Sequence, residues 1–351
     1  MHQFFDRYAF KVILVLGLAA SFAVITGVLG AAKQPASPAE PVPATTPFVD
    51  VHTHLEPSNP AHSVQAALQA MKRENAAKIV FMPPPFTADD PARYDAEIFL
   101  PVVKGHRDKL AVLGGGGSLN VMIQESARSG DAGPEIRRKF KERAEELLRE
   151  GVAGFGELTA EHFPGATPYQ SAPPDHPLFL LLADIAAEHG VPIDLHMEAI
   201  PQDMPPPAPL KSPPQLHANI AGFERLLAHN PRAPIIWAHA GWDNTGYRTA
   251  ALCRRLLAAH PNLYMDVKID PAKPGKNSPL ADGASGAIRP EWLKLFQDFP
   301  DRFLVGTDQH YPEPLPGPQR WEAIVLLLNQ LPDGVRQKIA RENAERLYPQ
   351  R

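Results

Sequence analysis

The chain has 351 residues, of which 44% are hydrophobic and 21% are charged, and its formal net charge is -4. This balance excludes a disordered chain and, without a long Lys/Arg run, argues against a nucleic-acid-binding protein, while the 40 prolines exclude a coiled coil. The single cysteine excludes an internal disulfide and a cysteine-based zinc site, so the placement of the 14 histidines becomes the informative feature.

The N-terminal region is predicted to be an export signal and not part of the fold. Residues 12–32 carry no charge and follow Arg7 and Lys11. A run of about 20 apolar residues spans the hydrocarbon core of a bilayer, but the small residues 30–32 also resemble the cleavage site of a secretory signal. We favour an uncleaved anchor with Arg7 and Lys11 in the cytoplasm and leave the cleaved form open. Both forms place the rest of the chain on the periplasmic or extracellular face, anchored or secreted.

The chain is therefore expected to have three parts. Residues 1–32 form the signal anchor or signal peptide. Residues 33–47 form a linker, because prolines recur there among Ala, Ser and Thr with nothing to bury. Residues 48–351 form one α/β domain.

Eight short apolar or β-branched runs recur along the third part, and most are followed by a Pro- or Gly-rich turn and an amphipathic stretch such as 134–150, 176–190 or 218–230. Apolar strands that alternate with helices indicate a parallel sheet covered on both faces. Eight such units predict a closed (β/α)8 TIM barrel. An open doubly wound sheet is the competing fold, but the Gly-rich phosphate turn expected after its first strand is missing. The predicted strands are 48–53, 78–82, 110–115, 152–157, 192–196, 234–239, 262–267 and 302–307.

The first predicted strand ends in a His-Thr-His motif. Side chains two residues apart in a strand share a face, so His52 and His54 are expected to point together into the barrel mouth. Two neutral imidazoles in this arrangement can hold one divalent ion. The alternative is two partly exposed histidines at a strand end, because such a motif is weak by itself.

The same pattern recurs at three other strand ends. The fifth predicted strand ends at His196, the sixth at His239, and Asp308 directly follows the eighth. Burying each of these groups without compensation costs about 2 kcal/mol or more. A metal ion that pairs them removes this cost, so the pattern predicts a metal site at the carboxyl ends of the strands.

The chain resembles the amidohydrolase superfamily in the segments VDVHTHLEP (49–57), GVPIDLHME (190–198), APIIWAHAGW (233–242), RFLVGTDQH (302–310) and KIARENAERLYP (338–349). Within the superfamily it is most similar to the amidohydrolase-related group (amidohydrolase family 2) of metal-dependent hydrolases and decarboxylases. The resemblance covers residues 48–349, and it is specific for the superfamily but not for a substrate. It implies a TIM barrel of the metallo-dependent hydrolase type.

Roles for individual residues follow from the resemblance. It implies that His52, His54, His196 and Asp308 are metal ligands and that Asp308 is the general base for the attacking water. His239 polarises the substrate or transfers protons in one-metal members, and it binds the second ion in two-metal members. The expected cofactor is Zn²⁺, as one or two ions, with Mn²⁺ as the alternative.

The fourth predicted strand ends at Glu157, where two-metal relatives carry a bridging carboxylated lysine or a glutamate. Direct ligation by Glu157 implies two metals, whereas a role as hydrogen-bond partner of a histidine implies one. We favour direct ligation, which also disfavours a decarboxylase. Glu198, Lys268 and Arg248 are candidate substrate-binding residues, although each is also explained as a salt-bridged residue at the rim.

Three functions of different classes remain. The first, which we favour, is a metal-dependent hydrolase of amide, lactone or ester bonds. The second is a non-oxidative metal-dependent decarboxylase, which needs one metal and a cationic clamp for a carboxylate. The third is a non-catalytic, membrane-tethered protein that binds a metal or ligand. The expected partners are a small-molecule substrate and, for an uncleaved anchor, the membrane; a homo-oligomer is left open.

Overall fold

The computed structural model describes residues 46–163, 168–208, 210, 213–269, 280–282, 285–312 and 319–349. The predicted signal segment 1–32 and nearly all of the linker lie outside these residues. Among the helices of the described part, none has the length and apolarity needed to cross a bilayer.

The described residues form one sheet of eleven strands, most of them parallel. The strands are β1 (Phe48–Leu55), β2 (Ala76–Phe81), β3 (Leu110–Val112), β4 (Gly114–Gly115), β5 (Phe155–His162), β6 (Gln170–Ser171), β7 (Ile193–Met197), β8 (Ile235–Ala240), β9 (Leu263–Val267), β10 (Phe303–Val305) and β11 (Gln309–Tyr311).

The sheet closes on itself through the segment that contains β3 and β4. The hydrogen-bonded order is β3-β2-β1-β10-β9-β8-β7-β5-β4, so both ends of the order belong to one segment interrupted at Leu113. Leu113 N donates to Phe81 O of β2 (2.9 Å), and Gly114 N donates to Gly154 O just before β5 (3.1 Å). All pairs along this order are parallel. The described strands therefore form a closed parallel barrel with helices between them, which agrees with the predicted α/β architecture.

Helices connect most of the strands, and proline and glycine set several of their ends. Helix α4 (Pro134–Glu150) has Pro134 in its first turn, where no hydrogen-bonded N–H is needed, and Gly151 follows its last residue with φ 107°.

The predicted helix 134–150 agrees with α4. The predicted helices 176–190 and 218–230 are one or two residues longer at each end than α5 (Pro177–His189) and α6 (Ile220–His229). The helices are α1 (Pro60–Glu74), α2 (Leu100–Val103), α3 (Leu119–Ser129), α4 (Pro134–Glu150), α5 (Pro177–His189), α6 (Ile220–His229), α7 (Ala250–Ala259), α8 (Pro290–Asp298), α9 (Arg320–Leu328), α10 (Asp333–Gln337) and α11 (Asn343–Leu347), the last two joined by a π-helical turn (Lys338–Glu342).

Apolar side chains fill the barrel interior. The interior cluster includes Val51, Val80 and Leu304, and the C-terminal segment adds Leu347 and Tyr348 to it. A larger cluster lies between the strands and the surrounding helices. Because apolar residues fill this space, the polar residues that follow or end the strands are collected at the carboxyl end of the barrel.

Candidate metal centre

Two histidines lie together at the carboxyl end of β1, and both are almost fully buried. His54 Nδ1 lies 2.9 Å from Met82 O. Because a carbonyl oxygen only accepts, this nitrogen donates, and the lone pair of His54 lies on Nε2. His52 Nδ1 lies 3.3 Å from both carboxylate oxygens of Asp194. Each histidine therefore uses Nδ1 for an anchoring contact and keeps Nε2 for the centre of the barrel mouth.

The carboxylate of Glu157 on β5 lies between two pairs of histidines. Its Oε2 lies 3.7 Å from His52 Nε2 and 3.6 Å from His54 Nε2. Its Oε1 lies 2.8 Å from His196 Nδ1 and 3.7 Å from His239 Nε2. Burial opposes ionisation of Glu157, but the hydrogen bond from His196 Nδ1 holds its pKa well below the usual 4.5. The ionised carboxylate thus presents one oxygen to each histidine pair.

The second pair comes from neighbouring strands. His196 lies on β7 and His239 on β8, with ring centroids 4.9 Å apart, and the His239 ring is 4.5 Å from that of His52. His239 has a left-handed backbone conformation with φ 68°, and its N–H donates to Asp266 Oδ1 at 2.8 Å. The His162 ring lies 4.6 Å from that of His196 and extends the cluster toward the rim.

Asp308 completes the cluster from the loop after β10. Its N–H donates to His52 O (2.8 Å), and its Oδ1 lies 3.1 Å from His54 Nε2. Its Oδ2 forms an ion pair with Lys268 and lies 3.2 Å from Arg320 Nη1. Burial opposes ionisation of Asp308, but the charge of the neighbouring Lys268 ammonium holds its pKa well below the usual range. The carboxylate is therefore ionised and fixed in orientation.

These residues fit a divalent metal ion. Two sets of donor atoms each lie within 4.8 Å of one another: His52 with Glu157 and His239, and His52 with His54 and Asp308. His52 Nε2, which faces Glu157, is buried and has no hydrogen-bond partner, a costly state for a polar atom. Imidazole and carboxylate donors suit Zn²⁺ or Mn²⁺.

The three candidate substrate-binding residues lie in different surroundings. The hydrogen bonds of Glu198 come from the backbone and side-chain amides of Asn244, and burial raises its pKa. The Arg248 guanidinium stacks 3.9 Å from the Trp237 ring centroid and donates to Trp237 O. Of the three, Lys268 makes an ion pair with a residue of the cluster.

Three residues that the sequence interpretation did not select lie against the cluster. Arg320, the first residue of α9, pairs with Asp308, and no motif marked it. Asp194 and Asp266 are fully buried beside His52. Both are acidic residues inside apolar strands. Asp194 lies two residues before His196, so the alternation of side chains along a strand could have predicted that the two residues share a face.

A cleft opens beside the cluster, and His54 and His310 line it together with Phe86, Tyr94 and several prolines. The His310 ring lies 4.7 Å from the His54 ring. The cleft thus joins apolar walls to a histidine of the cluster, as ligand sites of enzymes commonly join apolar walls to a few polar groups.

Several solved structures resemble the chain at low identity. A protein from Agrobacterium tumefaciens (ATU3138) is 15% identical with a TM-score of 0.49, covering 88% of this chain and 98% of that one. The 5-carboxyvanillate decarboxylase of Novosphingobium aromaticivorans, with bound manganese, is 12% identical with a TM-score of 0.49, covering 87% and 97%. Dihydroorotase from Saccharomyces cerevisiae is 13% identical with a TM-score of 0.46, covering 86% and 84%. Similarity at this level carries no argument about the reaction.

The family assignment rests on sequence. No curated protein matches the chain, but the family model described as Amidohydrolase (Amidohydro_2) matches residues 49–350. This family is metal-dependent, and its members are enzymes that include hydrolases and decarboxylases. The match spans nearly all of the predicted domain, and the chain belongs to the amidohydrolase family.

Proposed function

We propose that the protein is a hydrolase of amide, lactone or ester bonds that works with two divalent ions, Zn²⁺ in the first instance and Mn²⁺ as the alternative. The position of Glu157 carries the proposal. Its two oxygens face different histidine pairs, 3.6–3.7 Å from the first pair and 2.8–3.7 Å from the second. A carboxylate in this position is suited to bridge two ions, whereas a mere partner of one histidine needs only one of its oxygens.

The ligands divide between the two positions. His52 and His54 lie on the Oε2 side of Glu157, with Asp308 beside His54, and the second histidine pair lies on the Oε1 side. Bound divalent ions would supply Lewis acidity, which lowers the pKa of water toward ~7. In this arrangement His239 would help to hold the second ion.

Asp308 is the proposed general base. Its Oδ1 points toward His54, and its Oδ2 is held by Lys268 and Arg320. The carboxylate therefore cannot rotate freely and keeps an oxygen directed at the space between the metal ligands. In this position it accepts the proton of the attacking water and passes it to the leaving group, as a general base followed by a general acid.

The substrate is a small molecule bound in the cleft beside His54 and His310. Lys268 is the proposed contact for an anionic group, because its ammonium is nearly buried and lies 4.6 Å from the Trp242 ring centroid. Glu198 and Arg248 are held by Asn244 and Trp237, so their contribution is to fix the segments that follow β7 and β8.

A decarboxylase is the second candidate. Lys268 and Arg320 together place two cations at the site, and such a clamp for a carboxylate is what this reaction requires. A decarboxylase needs only one ion, and Glu157 would then orient a histidine.

A substrate screen tests the proposal. Protein loaded with Zn²⁺ or Mn²⁺ is incubated with amides, lactones, esters and aromatic or unsaturated carboxylic acids, and the hydrolysis products and the released CO₂ are measured separately by chromatography and gas analysis. We expect hydrolysis that falls at least ~100-fold in Asp308→Asn, as for loss of a general base, and is retained in the control Asp298→Asn. CO₂ release that survives Glu157→Gln would support the decarboxylase, and a metal-loaded protein active on neither set would support the non-catalytic alternative.

The proposal includes export. Residues 12–32 are apolar and long enough for a signal anchor, and they follow two cations. Fractionation of cells that express the full chain, followed by mass spectrometry of its N-terminus, tests this: an intact N-terminus in the membrane fraction supports the anchor, and an N-terminus near residue 33 supports cleavage.

A further inference from the structure

We propose that Asp266 is a positioning residue that holds His52 and His239 in the orientations needed for metal binding. The inference rests on the metal centre of the proposed function and adds a residue that touches neither the cleft nor Glu157. Asp266 lies on β9, is fully buried, and has contacts on β1 and β8.

The first contact fixes the backbone of His239. Asp266 Oδ1 accepts the His239 N–H at 2.8 Å and lies 3.8 Å from His239 Nδ1. His239 has φ 68°, a left-handed conformation that is unfavourable for a non-glycine residue. The hydrogen bond from its own N–H holds the backbone in this conformation, and the His239 Nε2 atom faces Glu157.

The second contact concerns the tautomer of His52. Asp266 Oδ2 lies 3.6 Å from His52 Nδ1, and Asp194 presents both of its oxygens to the same nitrogen at 3.3 Å. Two carboxylates that face one ring nitrogen require that nitrogen to carry a proton. The lone pair of His52 is then on Nε2, which is the atom that faces Glu157. Carboxylate–histidine pairs of this kind orient metal ligands in many proteins.

The third observation explains why the carboxylate does not move. A Cβ at Gly306 would lie 2.6 Å from Asp266 Cγ and 2.8 Å from its Cβ. Gly306 directly follows β10 and donates its N–H to Val267 O (3.1 Å), so the Asp266 side chain lies directly against this backbone. Only glycine leaves room for Asp266 here, and the carboxylate is confined between β1, β8 and β10.

The opposite view is that Asp266 only ties strands together. Two variants separate the views. Asp266→Asn keeps an oxygen for the His239 N–H but directs an amide NH₂ at His52 Nδ1. Gly306→Ala keeps the charge but displaces the side chain. The matched control is Asp95→Asn, which changes a buried carboxylate that accepts from Gly115 N and Ala96 N.

The measurement is the affinity of the metal-free full chain, in mild detergent, for Zn²⁺ in competition with a chromophoric chelator, together with the ¹⁵N chemical shifts of the histidine rings. We expect a 10–100-fold loss of affinity in Asp266→Asn and a loss in Gly306→Ala, with affinity unchanged in Asp95→Asn. Because Asp194 still faces His52 Nδ1 in Asp266→Asn, we expect the ¹⁵N shifts of the His52 and His239 rings to move there without loss of the Nδ1–H form of His52, and no ring shift to move in Asp95→Asn.

Unchanged affinity and unchanged ring shifts in Asp266→Asn would overturn the inference, and so would an equal loss in Asp95→Asn, because the effect would then be general destabilisation. The failure of the proposed function looks different, since the wild-type chain would then bind one ion or none, or would hydrolyse no amide, lactone or ester. A wild-type chain that binds metal, with an Asp266→Asn variant that does so equally well, refutes only the positioning role.

Discussion

Asp308→Asn removes a carboxylate that two cations share, and its effect on stability can be worked out from the structure. Lys268 and Arg320 both contact Oδ2, and their side chains are only 8% and 14% exposed. Removal of one partner of a buried ion pair costs about 3–5 kcal/mol, because the remaining charge is left unpaired. Part of this cost is offset because Asp308 itself no longer has to be ionised in a buried place. We therefore expect the free energy of unfolding to fall by about 3 kcal/mol at pH 7.

The assay is urea unfolding followed by tryptophan fluorescence, with a chelator present so that no metal contributes. Asp298→Asn is the control, because Asp298 pairs with Arg254 and Lys294 on the surface and exposed pairs contribute at most about 1 kcal/mol. The double variant Asp308→Asn/Lys268→Met should regain a large part of the loss, since one unpaired cation is removed. Equal decreases in the free energy of unfolding in Asp308→Asn and Asp298→Asn would contradict the stabilising role of the buried ion pairs. A double variant that is less stable than Asp308→Asn would contradict it as well.

Two further predictions concern residues outside the metal centre. Burial raises the pKa of Glu161 from 4.5 to about 7, so the folded protein binds a proton there that the unfolded chain releases, and the free energy of unfolding falls as the pH rises through this window. In urea unfolding, the free energy of unfolding of Glu161→Gln minus that of wild type should increase by on the order of 2 kcal/mol from pH 5 to pH 8. A difference that stays the same over this pH range would contradict the prediction. Asn343 donates to Pro300 O and Phe303 O (2.8 Å each) and is fully buried, so Asn343→Ala should lower stability by about 2 kcal/mol and leave metal content unchanged, which elemental analysis checks; lost metal would contradict a purely structural role.

The barrel was predictable because each of its strands can be recognised from a short stretch of sequence. Apolar strands buried on both faces give continuous runs, and each run ends where the chain leaves the core. The polar residue at that point is conspicuous, which is why His196 and His239 could be placed on adjacent strands. The count of eight runs also predicted that the sheet closes into a barrel. The hydrogen bonds that the segment around Leu113 makes to β2 on one side and to the residue before β5 on the other confirm the closure.

The contacts around the centre were not predictable from local pattern. His52 and Asp194 are 142 residues apart, and their contact exists only because the barrel brings β1 and β7 to the same interior. Arg320 reaches Asp308 from the start of a helix that no motif marks. The surroundings of Arg248 were not predictable either, because nothing in the local sequence indicates that its buried guanidinium is stacked on Trp237.

The number of bound metal ions decides whether Glu157 holds two ions or none. Elemental mass spectrometry is applied to the full chain, purified without chelator and reconstituted with Zn²⁺, beside Glu157→Gln and the surface control Glu142→Gln. We expect two equivalents in wild type and in the control, and one equivalent in Glu157→Gln. One equivalent in all three proteins would contradict the bridged pair, and no metal in any of them would contradict the metal centre itself.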